Sequence, residues 1–168
     1  MLDVSEIALR LGVATLAGAA IGLNRDLHGK PIGLRTLSLV ALATAMIVAF
    51  TDPGDSLAHV TDASSRVVQG ILTGIGFLGA GVIIHAEAKA RVRGLTSAAL
   101  TWLTACIGIM CGAGQWRIVG IAIAITFVIL MVGGRVEKTL HRALGGPDYK
   151  ADDDKNQPSD AGPHQPGK

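Results

Sequence analysis

Arginine is the residue type around which chemistry could be built in this chain. Its guanidinium carries five N–H donors in a planar fork that suits carboxylate, phosphate or backbone carbonyl oxygens. Arg10 lies inside a long apolar run, with Glu6 four residues earlier on the same helical face, so an ion pair competes with a functional role. Arg35, with Thr36 beside it, enters a second apolar run, where it needs a partner such as Asp26 or must snorkel to the interface. Asn24, Arg25 and Lys30 fall in the short turn between these two runs, and the plain reading of Arg25 and Lys30 is anchoring beside anionic headgroups. Arg91, Arg93, Gly94 and Thr96 form a second basic turn. The two turns together would make one positive face suited to phosphate groups or an acidic protein.

Little else points to bond-breaking chemistry. Cys106 and Cys111 are five residues apart in an apolar stretch and read as small packing residues. His85 and Glu87 are two polar residues close together at a loop edge, a weak metal signal. With no nucleophile–base pair and no phosphate-cradling glycine motif in a strand–turn–helix setting, neither an enzyme nor a bound cofactor or metal is expected. No nucleic-acid partner is expected either. Gln69, near Arg66, is read as donating and accepting across a helix contact.

The elements that must position these groups are membrane spans. Of 168 residues, 49% are apolar, 17% are charged and 22 are glycine, where soluble domains carry about 25% charged residues and about 7% glycine. Five runs are long enough to cross about 30 Å of hydrocarbon: Ile7 to Leu23, Gly33 to Thr51, Val67 to Ile84, Leu95 to Gly112 and Ile118 to Gly134. The first is flanked by Asp3 and Glu6 and contains Arg10, which does not fit a cleaved secretory signal. The fourth is the weakest, diluted by Thr96, Ser97, Thr101 and Thr104, although helical hydroxyls can bond back to their own backbone. An all-α, polytopic helix bundle of about five spans follows, with four as the alternative.

Loop charges orient it. Residues 1–147 hold 12 Lys or Arg against 8 Asp or Glu. Arg25, Lys30 and Arg35, then Lys89, Arg91 and Arg93, then Arg135, Lys138 and Arg142 fall at alternate ends of the spans, and these segments are expected in the cytoplasm. Asp52, Asp55 and Asp62 and the acidic amino terminus are expected outside. The transmembrane domain is placed at residues 1–144, and residues 145–168 read as a disordered polar tail. Its segment Asp148 to Lys155 differs at one position from a common acidic epitope tag and reads as either an expression remnant or a native tail.

The third run carries Gly70, Gly74, Gly76, Gly79 and Gly81 within 12 residues. Small residues four apart let helix backbones approach closely. The plain expectation is a central helix of a tight bundle; the sharper one is a thinned or broken helix lining a polar cavity.

Three blocks in order, GLNRDLHGKPIGLRT (Gly22 to Thr36), VVQGILTGIGFLGAGVII (Val67 to Ile84) and VRGLTSAALTWLTACIGIMCGAG (Val92 to Gly114), resemble the MgtC/SapB family of bacterial membrane proteins. The resemblance covers about residues 6–134. It implies a multi-span inner-membrane regulator linked to adaptation to low magnesium and, in pathogens, to survival inside macrophages. It also implies contact with other membrane proteins, ATP synthase among them. Asn24 stands where members often have glutamate, and only 34 residues follow Gly134, so a short, membrane-domain form is expected. On this reading the third span supplies the contact surface, Arg25, Arg35 and Arg93 make cytoplasmic charge contacts, and membrane lipid and self-association are further partners. The rival is a small channel or transporter for magnesium or another cation, lined by the glycines and the threonines of the fourth span.

Overall fold

A computed structural model describes residues 2–30, 32–51, 62–84 and 94–143. Pro31, the segment with Asp52 and Asp55, the segment with His85, Glu87, Lys89, Arg91 and Arg93, and the residues from 144 onward lie outside them. The described residues form five α-helices and no strand: α1 (Val4–Leu27), α2 (Leu34–Thr51), α3 (Asp62–Ile84), α4 (Leu95–Gly112) and α5 (Trp116–Ala143). All five are long and apolar enough to cross a membrane. Each matches one expected span, α2 starting one residue later at Leu34 and α1, α3 and α5 running several residues beyond. At about 1.5 Å per residue even the 18-residue α2 and α4 reach about 27 Å, close to the hydrocarbon thickness.

Glycine ends two of these helices in the same way. After α1, the Gly29 N–H bonds to the Asp26 carbonyl and the Lys30 N–H to the Arg25 carbonyl, with Gly29 at φ +60°. After α4, the Gly114 N–H bonds to the Cys111 carbonyl and the Gln115 N–H to the Met110 carbonyl, with Gly114 at φ +68°. Both are Schellman stops, in which a left-handed residue lets the orphan carbonyls of the last turn be satisfied. Within the helices the hydroxyls turn back on their own backbone, as expected for a membrane: Thr15 to Leu11 (2.8 Å), Thr44 to Val40 (2.9 Å), Thr73 to Gln69 (2.8 Å), Thr101 to Ser97 (2.9 Å) and Thr126 to Ala122 (2.6 Å).

The chain divides into two compact units, Met1–Phe127 and Val128–Lys168. In the first unit α2 packs against both α1 and α4, α1 also touches α4, and α3 lies mainly on α4. The seam is made of small residues. Ala14, Ala17, Ala41, Ala45 and Ala105 are buried, while Phe50 and Phe77 are 89% and 81% exposed. Large apolar groups outside and small ones inside would be unfavourable in water but suit a protein whose surroundings are lipid, where backbone approach drives association. In the second unit the apolar residues Val128, Ile129, Met131, Val132 and Val136 of α5 are exposed.

Four glycines allow the seam to close. A Cβ on Gly18 would lie 2.5 Å from the Leu37 carbonyl oxygen, and one on Gly22 would lie 2.5 Å from the Leu34 Cα. A Cβ on Gly108 or Gly112 would lie 2.5 Å from the carbonyl oxygen of Ala41 or Ala45. α1 and α4 therefore each present a glycine pair four residues apart to α2.

Candidate functional site

Two arginines fifteen residues apart on α1, about 22 Å along the axis, reach two α4 residues that are also fifteen apart. Near the start of α1, the Arg10 Nη1 donates to the Gly112 carbonyl at 2.7 Å and its Nε donates to Glu6 Oε1 at 2.8 Å. Near the end of α1, the Arg25 Nη2 donates to the Ser97 hydroxyl. The two contacts fix α1 and α4 antiparallel in a single register, with one arginine on the last turn of α4 and the other on its first. Arg10 has the favourable end, because a helix C-terminus carries partial negative charge on free carbonyls. The expected pair with Glu6 is present, and the bond to Gly112 is an addition that sequence spacing gave no sign of.

Arg25 departs from the expectation of a surface anchor. It is only 5% exposed, and its Nε has no partner among the described residues. The reason is its position one turn after Ile21 and Gly22, on the α1 face that packs into the bundle. A basic residue in a turn-like stretch was in fact the last turn of a longer helix.

Asp26 also differs from expectation. Its Oδ2 accepts the Leu34 N–H at 2.9 Å and so caps α2, and Arg35 is exposed in the first turn of that helix with Thr36. Gly33 leaves the space for this cap, since a Cβ there would meet Asp26 Oδ1 at 1.7 Å. Asn24 is half-buried, and its carbonyl accepts from the His28 ring at 2.6 Å. Thr96 is exposed in the first turn of α4, and Arg93 lies outside the described residues. Beyond the spans, the Ser5 hydroxyl donates to Asp3 Oδ2 at 2.5 Å, which with the Val4 N–H holds that carboxyl below its ordinary range.

α3 is a continuous helix, so the broken-helix expectation does not describe it. Nor is it the tight centre of the bundle. Among the described residues nothing comes within 4 Å of a Cβ placed on Gly70, Gly74, Gly76 or Gly81, and on Gly79 the nearest atom is the Ala98 Cβ at 3.6 Å. Ile75 and Gly79 are buried and form the face toward α4. At about 100° per residue, Gly70, Gly74 and Gly81 fall within about 40° of arc, about 120° from Ile75. They make an open glycine stripe beside Phe77. Gln69 is exposed at its upper end and serves no described helix contact by burial.

The residues that do form the tight seam, Gly18, Gly22, Gly108 and Gly112, were not singled out from sequence, although their four-residue spacing is the same signal. The fourth span proves the most buried of the five. Its Ser97, Thr101 and Thr104 are its core face, so the hydroxyls that weakened its hydropathy mark its place in the bundle. Among the described residues no group of three His, Cys, Asp or Glu is arranged to hold a metal ion.

No solved structure matches the chain. Among curated proteins, SrpB of Synechococcus elongatus is 44% identical over 124 residues, covering 69% of this chain and 68% of SrpB. The putative magnesium transporter YhiD of Escherichia coli is 36% identical over 132 residues, covering 76% of this chain and 60% of YhiD. MgtC of Salmonella typhimurium is 41% identical over 122 residues, covering 73% of this chain and 48% of MgtC. The match therefore takes in only part of each relative's length. The family model described as the MgtC family runs over residues 11–139, from the first turns of α1 into the last turns of α5, and the chain belongs to that family.

Proposed function

We propose that this protein is a multi-pass protein of the bacterial inner membrane that supports adaptation to low magnesium by docking on other membrane proteins through α3. The observation that carries the reading is the division of labour among its glycines. Gly18 and Gly22 of α1 and Gly108 and Gly112 of α4 are closed against α2, whereas among the described residues nothing lies within 4 Å of a Cβ placed on Gly70, Gly74 or Gly81 of α3. Helices associate in lipid through such close backbone approach, and here that capacity is unused among the described helices. The magnesium link rests on the names of the relatives MgtC and YhiD. ATP synthase is the partner that family resemblance favours, with intramacrophage survival as the setting if the host is a pathogen. Catalysis has no part in this reading. The amino terminus lies outside and the carboxyl end in the cytoplasm, in keeping with the basic residues of the alternate turns.

The name of YhiD favours a second reading, cation transport. One pair of measurements separates them. Under the docking reading, a photocrosslinker at Phe77 traps a second membrane protein in native membranes, Gly74→Leu abolishes that adduct and growth in low magnesium, and proteoliposomes of either form carry magnesium at background rate. Saturable magnesium flux in wild type that Gly74→Leu removes would establish transport instead.

A further inference from the structure

α4 begins without a cap of the usual kind. Gly94 precedes it in the left-handed region at φ +92° and as the N-cap residue supplies no side-chain cap, and the first intrahelical bond runs from the Ala98 N–H to the Gly94 carbonyl. The N–H groups of Leu95, Thr96 and Ser97 precede that bond and have no acceptor within the helix, and they carry its partial positive charge. Against this turn the structure sets a cation. Arg25 is 5% exposed, donates one bond to Ser97 Oγ, and leaves its Nε unpartnered. Ser97 is itself only 2% exposed.

The arrangement is electrostatically one-sided. Arg10 sits at a helix C-terminus and has a carboxylate, whereas Arg25 sits at a helix N-terminus and has none among the described residues. The adjacent acid, Asp26, is committed to the Leu34 N–H. A buried guanidinium and a helix N-terminus repel each other unless an anion lies between them, and each is a standard donor to tetrahedral oxyanions. Gly94 lies close to the end of α3, where a Cβ would meet the Val82 carbonyl oxygen at 3.0 Å, so the ends of α1, α3 and α4 converge here. This is the end of three apolar spans, at the depth of lipid headgroups.

We propose that Arg25, Ser97 and the N–H groups of the first turn of α4 form a binding site for a phosphate-type oxyanion. The site is independent of α3 docking and of any magnesium role. A lipid phosphodiester and free phosphate share this chemistry, and the source is set by experiment.

The full chain, delipidated in a non-ionic detergent, is unfolded by heat in sodium phosphate and in sodium chloride of equal ionic strength, and separately with phosphatidylglycerol and with a phosphate-free galactolipid. Wild type gains several degrees from at least one phosphate-bearing probe over its control. Arg25→Gln weakens the apparent affinity at least about tenfold, the loss of a charge-assisted contact, while Arg35→Gln at an exposed position on α2 keeps it. A response to phosphatidylglycerol alone identifies a headgroup; a saturable response to inorganic phosphate identifies the free ion. Ser97→Asp, which supplies the anion from the chain, raises the unfolding temperature without phosphate and removes the response, and so tests the site even if Arg25→Gln fails to fold. The proposal is overturned if neither anion stabilises wild type, if Arg25→Gln responds as wild type does, or if Ser97→Asp is destabilised and still responds.

Discussion

Placing the same side chain on two glycines of this bundle should have opposite consequences. At Gly108 the first carbon alone would lie 2.1 Å from Thr44 Oγ1 and 2.5 Å from the Ala41 carbonyl oxygen. Thr44 can rotate, but the carbonyl belongs to a helix backbone. Restoring an ordinary 3.4 Å contact from 2.5 Å needs α2 and α4 to part by about 0.9 Å, which also loosens Gly112 from Ala45 and Val48. Overpacking of this kind costs about 1–3 kcal/mol, and the remaining carbons of a leucine put Gly108→Leu at or beyond the top of that range. The helix propensity gained on leaving glycine, about 1 kcal/mol at most, does not offset it. At Gly74 nothing lies within 4 Å, so Gly74→Leu meets no steric term and should be neutral or stabilising by up to about 1 kcal/mol. The assay is unfolding in mixed micelles by added denaturing detergent, followed by the fluorescence of Trp102 and Trp116. If Gly74→Leu loses as much stability as Gly108→Leu, the glycine stripe of α3 packs inside the monomer and the docking surface does not exist. If Gly108→Leu is neutral, the seam between α2 and α4 has been misplaced.

The remaining expectations use the same unfolding measurement. Arg10→Ala removes the buried bond to the Gly112 carbonyl and should cost about 1.5–3 kcal/mol, while Glu6→Gln, touching only the partly exposed ion pair, should cost under about 1 kcal/mol. Asp26→Ala should cost about 1 kcal/mol through loss of the α2 cap, and Gly33→Ala should be better tolerated in that background than alone, because the group it collides with is gone. Gly29→Ala should cost about 1–2 kcal/mol from its left-handed backbone, with no effect on crosslinking from Phe77.

The spans were legible because a bilayer imposes a length on every helix that crosses it, and five apolar runs of that length stand in the sequence. Their ends were less so. α1 continues four residues beyond Leu23, because lipid no longer selects composition there while the backbone still gains by staying helical. That shift moved Arg25 from a turn into the bundle. Its neighbour Asp26 could be read as a charge partner for Arg35, yet the Leu34 N–H takes it, since a helix start offers donors close by and Arg35 is exposed. Arg10 was easier: its partner Glu6 is one helical turn away, and pairs at that spacing are set by local geometry alone.

The glycines show where local reading ends. Gly18 with Gly22, Gly70 with Gly74 and Gly108 with Gly112 repeat one four-residue spacing on three helices, and each pair offers a partner the same smooth groove. Spacing states that a helix can be approached closely; it carries no information about which helix does so. α2 decides the matter by presenting Ala41 and Ala45, backbone nearly bare, to both α1 and α4. α3, the richest in glycine, has only its Ile75 and Gly79 side engaged. A helix that needed glycine only to fold within this chain would carry it on that side. The stripe at Gly70, Gly74 and Gly81 lies about 120° away, so its small residues are not used by any of the described helices. An intermolecular helix contact is the account that uses them, and a crosslink from Phe77 that yields only lipid adducts in native membranes would remove it.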